Sequence, residues 1–584
     1  MKFSVLAEAF EKIEATTKRL EMMEYLVELF KATPPDLIDK VVYLTQGKLY
    51  PDYLGMPELG VADKLAMRAI STVSGRSVSE VEDAYKRLGD LGKAAEELLK
   101  KKAQMTFFTQ PLTVERVYAT LDRIAKATGP GSISQKVRLL AGLLTDASPK
   151  EARYIIRIVT GRLRLGVADM TVLDALAQAF TGSRDNRPIL ERAYNLSSDL
   201  GAVAKAVAEG GLEAVKKFKI ELGRPIRCML AERLPTPEEI IKKLGKASAE
   251  WKMDGLRMQI HKDGDRIVIF SRRLENLTEQ FPDAVELART HVKPKQAIVE
   301  CEACAIDPDT GDLLPFQELM HRRRKYGIEE AAKEYPVALY MFDVLYVDGR
   351  DVTTEPYIKR REILEQIIVQ DDWVKVIPNI ITDDPEELER FFQEAVQLGC
   401  EGLMVKDLKA PYRAGAREFS WIKLKREYQA ELTDTIDLVI IGAYHGRGRR
   451  AGRYGAFLLA AYDPEGDVFK ATTKVGTGFT DEDLEKFKEL LDPLRIPHKH
   501  PRVVSLTEPD VWVVPKVVIE VVAAEITLSP TYPCGMDAIR KGSGLALRFP
   551  KFTGRIRFDK APEDATTERE LIEMYKSQLR KVTG

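Results

Sequence analysis

The chain is poor in cysteine and asparagine and has no long apolar run. Its five cysteines, Cys228, Cys301, Cys304, Cys400 and Cys534, are too scattered for a disulfide framework. No stretch approaches the roughly 18 charge-free apolar residues of a membrane span. The opening segment, MKFSVLAEAFEKIEATTKRLEMM, carries acids through its apolar positions and lacks the core of a signal peptide. These absences lead us to expect a cytoplasmic protein. An excess of either charge is missing too: 89 Lys+Arg against 90 Asp+Glu leave a net charge of −1. Any contact with nucleic acid must therefore come from local basic patches. Only Asn186, Asn195, Asn276 and Asn379 represent asparagine, while charge is plentiful, a balance that leans towards a thermophilic source. There is no fixed-period repeat and no low-complexity segment, and a composition 45% hydrophobic and 31% charged is that of folded globular domains.

What is there divides by texture. At roughly 150 residues per domain, 584 residues make three or four domains. Residues 1–220 read as helical, with apolar residues at helical spacing in Tyr25–Phe30 and Leu173–Phe180 and breaks at Pro34-Pro35 and Gly129-Pro130-Gly131-Ser132. From 221 to 427 β-branched runs appear, such as Arg266–Phe270 after the turn Lys262–Asp265. From 428 to 584 short strands beginning at Ile436–Ile441 alternate with Gly-rich turns, which suits a small β-barrel, and Thr567–Val582 is a terminal helix. The expected class is multidomain α+β.

The chemistry centres on Glu250-Trp251-Lys252-Met253-Asp254-Gly255-Leu256-Arg257. Alone, a K-x-D-G string reads equally as a surface turn with a charge pair. Behind it stands an ordered series: Ser271-Arg272-Arg273, Val299-Glu300-Cys301-Glu302, Tyr340-Met341-Phe342-Asp343, Glu401–Lys406, Trp421-Ile422-Lys423-Leu424-Lys425, and Arg557-Phe558-Asp559-Lys560 after Arg548-Phe549-Pro550. In order and spacing the series resembles the covalent nucleotidyltransferases: DNA ligases, RNA ligases and mRNA-capping enzymes. With Thr160-Gly161-Arg162-Leu163-Arg164-Leu165-Gly166 near the N-terminus and Pro562–Thr567 near the C-terminus, the whole chain resembles the archaeal or eukaryotic-type ATP-dependent DNA ligases.

That resemblance implies a helical DNA-binding domain, a β-sheet-rich adenylation domain and a C-terminal OB-fold. It implies that Lys252 attacks the α-phosphate of ATP and carries AMP as a phosphoramidate. AMP then passes to the 5′-phosphate of a nick, and the 3′-hydroxyl displaces it. A lysine amine attacks only when neutral, and its ordinary pKa of about 10.4 must be lowered by neighbouring cations and a metal. Lys423, Lys425 and Mg²⁺ (with Mn²⁺ as substitute) are the candidates. By the same resemblance Glu302 and Glu401 offer oxygens to the metal, Glu302 also reaching the ribose. Phe342 stacks on adenine and Glu250 reads its edge. Arg257, Arg272 and Arg417 contact the ribose or phosphates, and Lys423 and Lys425 hold the α-phosphate. Arg557 swings over the nucleotide from the C-terminal domain, which implies a domain rotation. A monomer acting in DNA replication, repair and recombination, close to the nucleoid of an archaeal cell, is the implied setting.

Each residue also has a plain reading. Phe342 and Trp421 fit a core, Glu401 and Lys406 a surface ion pair, and Lys423 with Lys425 a solvated strand face. Cys301 stands where the family commonly has glycine and puts the geometry at Glu302 in doubt; Cys228 stands where relatives often carry proline. Cys301-x-x-Cys304 has no second cysteine pair for a zinc site, and an offset of three on a strand sends the two thiols to opposite faces. Basic stretches at Gly129–Arg138, Arg162/Arg164, His321–Lys325 and Gly446–Arg450 are candidates for following the phosphates of nicked double-stranded DNA. Gln104-Met105-Thr106-Phe107-Phe108 resembles a sliding-clamp-binding motif, with helical-domain packing as the alternative. An NAD-dependent ligase lacks the long helical N-terminus. A capping enzyme or RNA ligase leaves the first 220 residues without a role, and a nucleic-acid-binding scaffold that has lost its chemistry needs none of the charged series.

Overall fold

The computed structural model describes every residue except 57, 58, 60, 101–109, 164, 323–325, 427–431, 433 and 584, and only the backbone of 581–583. Gln104, Phe107 and Phe108 therefore lie outside the described residues, as do Arg164 and Arg323–Lys325. The chain divides into two compact units, Met1–Cys228 with Arg273–Asn276, and Met229–Arg272 with Leu277–Gly584.

The first unit is helical, as the periodicity predicts. Tyr25–Phe30 lies in the helix Arg19–Lys31, which ends before Pro34-Pro35, and Leu173–Phe180 lies in Asp169–Thr181. Local chemistry sets the ends: Ser148 caps Pro149–Val159 by accepting from the Glu151 amide at 3.2 Å, while the Glu151 carboxylate accepts from the Ser148 amide at 2.8 Å. Such a reciprocal cap is worth about 1 kcal/mol. Nearly every apolar stripe in this unit converges on one continuous core that includes Phe3, Phe10, Phe30, Tyr154 and Leu173.

In the second unit, two sheets position the candidate site. The first joins β1 (Leu230–Arg233), β2 (Ala247–Lys252), β9 (Asn379–Thr382), β10 (Gly402–Asp407) and β11 (Arg417–Lys425) in the order β1-β11-β10-β2-β9. The second joins β3 (Leu256–Asp263), β4 (Arg266–Ser271), β5 (Gln296–Ala305), β6 (Val337–Val347) and β7 (Arg350–Asp351) in the order β4-β3-β5-β6-β7, with β8 (Val374–Val376) on β6. The turn read at Lys262–Asp265 is the β3–β4 hairpin, closed by the pair Asp263 and Arg266, with Gly264 in the left-handed region.

The C-terminal part is strand-rich. β12 (Ile436–His445), β13 (Tyr454–Asp463) and β14 (Val468–Val475) pair in sequence, and β18 (Val518–Val522) links β12 to β21 (Lys551–Ile556). The short strands β15 (Arg495–Ile496), β16 (Val503–Val504) and β17 (Val511–Val513) extend the sheet, and β19 (Glu525–Ser529) pairs with β20 (Gly544–Arg548). Alternate residues of β12 enter different cores: Ile436, Leu438 and Ile440 one, Val439 and Ile441 the other. Burial on both faces is why this strand reads as a continuous apolar run rather than an alternating one. The terminal helix is Glu568–Thr583. Among the described residues no helix is long and apolar enough to cross a membrane.

Candidate active site

Strand register builds the site. Lys252, Glu250 and Ser248 of β2 stand opposite Gly402, Met404 and Lys406 of β10, which in turn stand opposite Lys425, Lys423 and Trp421 of β11. Because side chains alternate along a strand, all of these share one face. The opposite face carries Ala247, Ala249, Leu403, Val405, Ile422 and Leu424, which pack with Ile240, Leu388 and Ala395 of the helices Pro237–Leu244 and Pro385–Gln397. Apolar burial thus fixes the register, and the register lines up the charged residues.

Lys252 ends β2 with its side chain 22% exposed, and its amine pairs with the Glu401 carboxylate. The Glu401 amide in turn donates to the Lys252 carbonyl at 2.9 Å. Two glycines permit the close approach of backbones here. A Cβ on Gly255 would lie 2.3 Å from the Ala303 carbonyl oxygen, and one on Gly402, whose φ is +149°, would lie 2.0 Å from that of Leu424. Glycine at both positions is therefore a steric requirement.

The acids share one electrostatic environment. Burial pushes the Glu302 carboxyl up to about 7, opposed by the Lys252 and Arg257 cations and reinforced by Glu401 and Asp254. Burial, then Glu401, raises Asp254. Lys423 is held below the ordinary lysine range by burial and then by Lys425, Arg417, Lys252 and Arg272. Of the sequence-predicted residues, Lys252, Arg257, Glu302 and Glu401 thus act on one another, and Arg272, Arg417, Lys423 and Lys425 form a bank of cations beside them. Arg417 opens β11 and donates to the Ala231 carbonyl at 2.8 Å.

A second cluster lies on the same face. The Phe342 ring meets Trp421 edge-on at 6.1 Å, and the Arg257 guanidinium lies 5.2 Å from the Phe342 ring centre and 5.6 Å from that of Trp421. Glu250 is buried, with Lys406, Arg361 and Tyr357 around its carboxylate. Lys406 is therefore not the surface partner of Glu401: it is 1% exposed and pairs with Glu250 at 2.6 Å.

Other readings are corrected or completed by distant partners. Glu300 shares the strand face of Glu302 but is buried, gripping Arg257 through both oxygens at 3.0 and 3.1 Å while accepting from the Tyr412 hydroxyl. Asp343 is wholly buried and gripped by Arg360 at 2.9 and 3.2 Å. Cys301 faces away from Glu302 into the core with Met258 and Met341, whereas Cys304 enters the core with Met253, as the offset of three predicts. Two residues of the expected phosphate-following stretches are interior. Arg322 holds Asp283 at 2.6 and 3.0 Å, and Arg450 donates to the carbonyls of Gly455 and Gly476 at 2.8 and 2.6 Å. Arg557 is held within the C-terminal part by Asp437 at 3.0 Å and Asp559 at 2.9 Å. Arg548, quoted in the series without a role, is buried and donates to the carbonyls of Gly399 at 3.0 Å and Cys400 at 3.2 Å, just before Glu401.

Among the described residues no three His, Cys, Asp or Glu side chains gather closely enough to hold a metal. Glu302 and Glu401, with Asp254 in the same electrostatic environment, offer hard carboxylate oxygens. That fits an ion such as Mg²⁺, which keeps water ligands and shares phosphate oxygens, rather than one that needs a complete protein cage. A lysine beside a carboxylate, a cation bank and an aromatic platform on one sheet face make a layout suited to phosphoryl transfer from a nucleotide.

Comparison with known proteins agrees. The family model described as "ATP dependent DNA ligase domain" matches residues 228–425, "DNA ligase N terminus" matches 2–177, and "ATP dependent DNA ligase C terminal region" matches 450–560. A protein named DNA ligase 2 from Thermofilum pendens is 57% identical, covering 99% of this chain and 97% of its own. A DNA ligase from Staphylothermus marinus is 55% identical across 100% of both chains, and one from Hyperthermus butylicus is 53% identical across 100% of this chain and 98% of its own. The chain belongs to the ATP-dependent DNA ligase family.

Proposed function

We propose that this enzyme seals 5′-phosphate/3′-hydroxyl nicks in duplex DNA through a lysyl-AMP intermediate on Lys252. The supporting observation is the Lys252 amine, paired with Glu401 on the sheet face that also carries Lys423 and Lys425. Lys252 attacks the α-phosphorus of ATP and pyrophosphate leaves. AMP next moves to the 5′-phosphate of the nick, and the 3′-hydroxyl displaces it to form the phosphodiester. The Lys252–Glu401 contact orients the amine and gives its proton a nearby acceptor. Lys423 and Lys425 face the same space and neutralise charge gathering on the α-phosphate, with Arg272 and Arg417 at the phosphate or ribose side. Phe342 supplies the stacking platform for adenine, Arg257 is fixed beside it by Glu300, and Glu250 reads the base edge. Glu302 and Glu401 hold Mg²⁺, or Mn²⁺ in its place, which when bound supplies charge neutralisation at the phosphates.

We take the domains as 1–220 for DNA binding, 221–427 for adenylation and 428–584 for an OB barrel with a terminal helix. Arg557 then reaches the nucleotide only after that barrel rotates, exchanging its present partners Asp437 and Asp559 for phosphate oxygens. Gln104, Phe107 and Phe108 bind a sliding clamp, and a monomer close to the nucleoid acts in replication, repair and recombination. The test is intact mass after incubation with ATP, NAD or GTP and Mg²⁺. A covalent AMP from ATP alone, absent in Lys252→Ala, is the expected result. A GMP adduct, or AMP taken from NAD, would redirect the assignment to capping or NAD-dependent chemistry.

A further inference from the structure

The helix Pro385–Gln397 has two faces of different character. Leu388 and Ala395 pack into the core beneath the sheet that carries Lys252. Glu389, Gln393 and Gln397 stand four residues apart, hence on one stripe, and meet the C-terminal part of the chain instead. Their partners come from the β19–β20 hairpin and its connecting loop. Arg540 pairs with the Glu389 carboxylate at 2.8 Å, and the Ser543 hydroxyl donates to the Gln393 side-chain oxygen at 2.7 Å. The Ser529 and Thr531 hydroxyls both donate to the Gln397 side-chain oxygen, Thr531 at 3.0 Å. The Gln393 amide joins the row by donating to Glu389 at 3.0 Å. Beside the helix end, Arg548 of the same hairpin donates to the Val396 carbonyl at 3.2 Å, besides those of Gly399 and Cys400.

The chemistry of this seam suits a contact that is made and broken. Gln393 and Ser543 are each 4% exposed and Ser529 0%, yet what they meet is polar: hydroxyls, side-chain amides and one ion pair. Interfaces of this polar kind between parts of one chain are the ones that separate. On parting, water takes over each hydrogen bond, whereas a parted apolar face would lose its burial outright. Three partners at fixed spacing along the helix also admit only one register. In that register the Arg557 guanidinium is occupied by Asp437 and Asp559. The docked orientation is therefore not the one in which Arg557 serves the phosphates of ATP.

We propose that Gln393 and Gln397, with Glu389, are positioning residues for DNA sealing: they dock the C-terminal domain in the orientation used once Lys252 carries AMP, and release it for adenylation. The inference rests on the Lys252 adenylation reading and its domain rotation, and it adds the surface that holds the domain between rotations. The seam also reaches the site. Arg548 grips the backbone at Gly399 and Cys400, and the next residue, Glu401, pairs with Lys252.

The test separates two steps in the full-length enzyme. Adduct formation is followed with ATP and no DNA, and sealing is followed without ATP on a nicked duplex whose 5′-phosphate already carries AMP. Gln393→Ala combined with Gln397→Ala removes three hydroxyl hydrogen bonds from the docked state, while water satisfies the same groups in the undocked one. Sealing should slow about 10- to 100-fold, and adduct formation should stay within about threefold of wild type. Equal slowing of both steps would show a merely structural seam, and slowing of adduct formation alone would assign the seam to the other orientation; either result would overturn the proposal. Should the double variant fold poorly, a charge swap that keeps both glutamines carries the test. Glu389→Arg and Arg540→Glu should each slow sealing selectively, and the two together should restore it to within about threefold. Selective slowing without rescue would also overturn the proposal, because the effect would not act across the seam. Failure of wild type to form any adduct from ATP would defeat the adenylation reading itself, a result separable from an unchanged ratio of the two steps.

Discussion

Replacing Gly255 by alanine isolates what backbone proximity contributes to the candidate site. The added Cβ would sit 2.3 Å from the Ala303 carbonyl oxygen and 3.1 Å from the Cys304 sulfur, whereas ordinary contact begins near 3.4 Å. The 2.3 Å approach falls short of that by about 1 Å, and the obstructing atom is backbone, so β3 and β5 must part by roughly that distance. Ala303 directly follows Glu302, and Gly255 directly follows Asp254 in the loop after Lys252. The displacement therefore falls on the spacing between nucleophile and carboxylate. A misplacement of about 1 Å costs on the order of 100-fold in rate where positioning supplies the catalysis. The assay is single-turnover formation of the AMP adduct, followed by quenched intact mass at saturating ATP. Gly264→Ala is the control. Its φ is +63°, so alanine strains the hairpin by about 1 kcal/mol, but nothing lies within 4 Å of the new Cβ and adduct formation should be unchanged. Adduct formation by Gly255→Ala within threefold of wild type would refute the reasoning.

Three further expectations follow the same logic. Arg360→Met leaves the wholly buried Asp343 carboxylate without its ion-pair partner and should cost about 3–5 kcal/mol in denaturant unfolding; a loss below 1 kcal/mol would mean that the pair is not the main support of that strand. Raising salt from about 50 to 200 mM should weaken binding to a nicked duplex steeply, and a flat response would contradict phosphate contacts as the main source of affinity. Changing Phe107 and Phe108 together to alanine should abolish stimulation by a sliding clamp while sealing of short nicked duplexes persists. Loss of both would place the two rings in the helical packing instead.

Much of the architecture was legible because it depends on periodicity. The helical spacing in Tyr25–Phe30, the two-residue alternation through Trp421-Ile422-Lys423-Leu424-Lys425 and the hairpin at Gly264 are local properties, and each appears where the pattern puts it. What stayed hidden depends on partners far along the chain. Alternation places Glu300 and Glu302 on one face and cannot choose between them. The choice is made by Arg257 and Tyr412, which claim Glu300 from 43 and 112 residues away. Likewise, nothing in Gly402–Asp407 reveals that Lys406 is interior, because the residue that balances its charge lies on β2. Arg322 and Arg450 resemble surface cations in composition and are interior because Asp283 and the Gly455 and Gly476 carbonyls accept their hydrogen bonds. Cys301 looked like a disturbance to Glu302, yet adjacent strand residues point to opposite faces and its thiol enters an apolar core.

The most direct test of the central claim is a chase without nucleotide. Enzyme carrying AMP on Lys252 is freed of ATP and mixed with excess nicked duplex and Mg²⁺, and the protein's mass and the DNA's length are followed together. The protein is expected to lose AMP and one nick to be sealed for each adduct consumed, with an AMP-capped 5′ end appearing in between. An adduct that persists beside nicked DNA, or sealing that leaves the AMP on the protein, would contradict it.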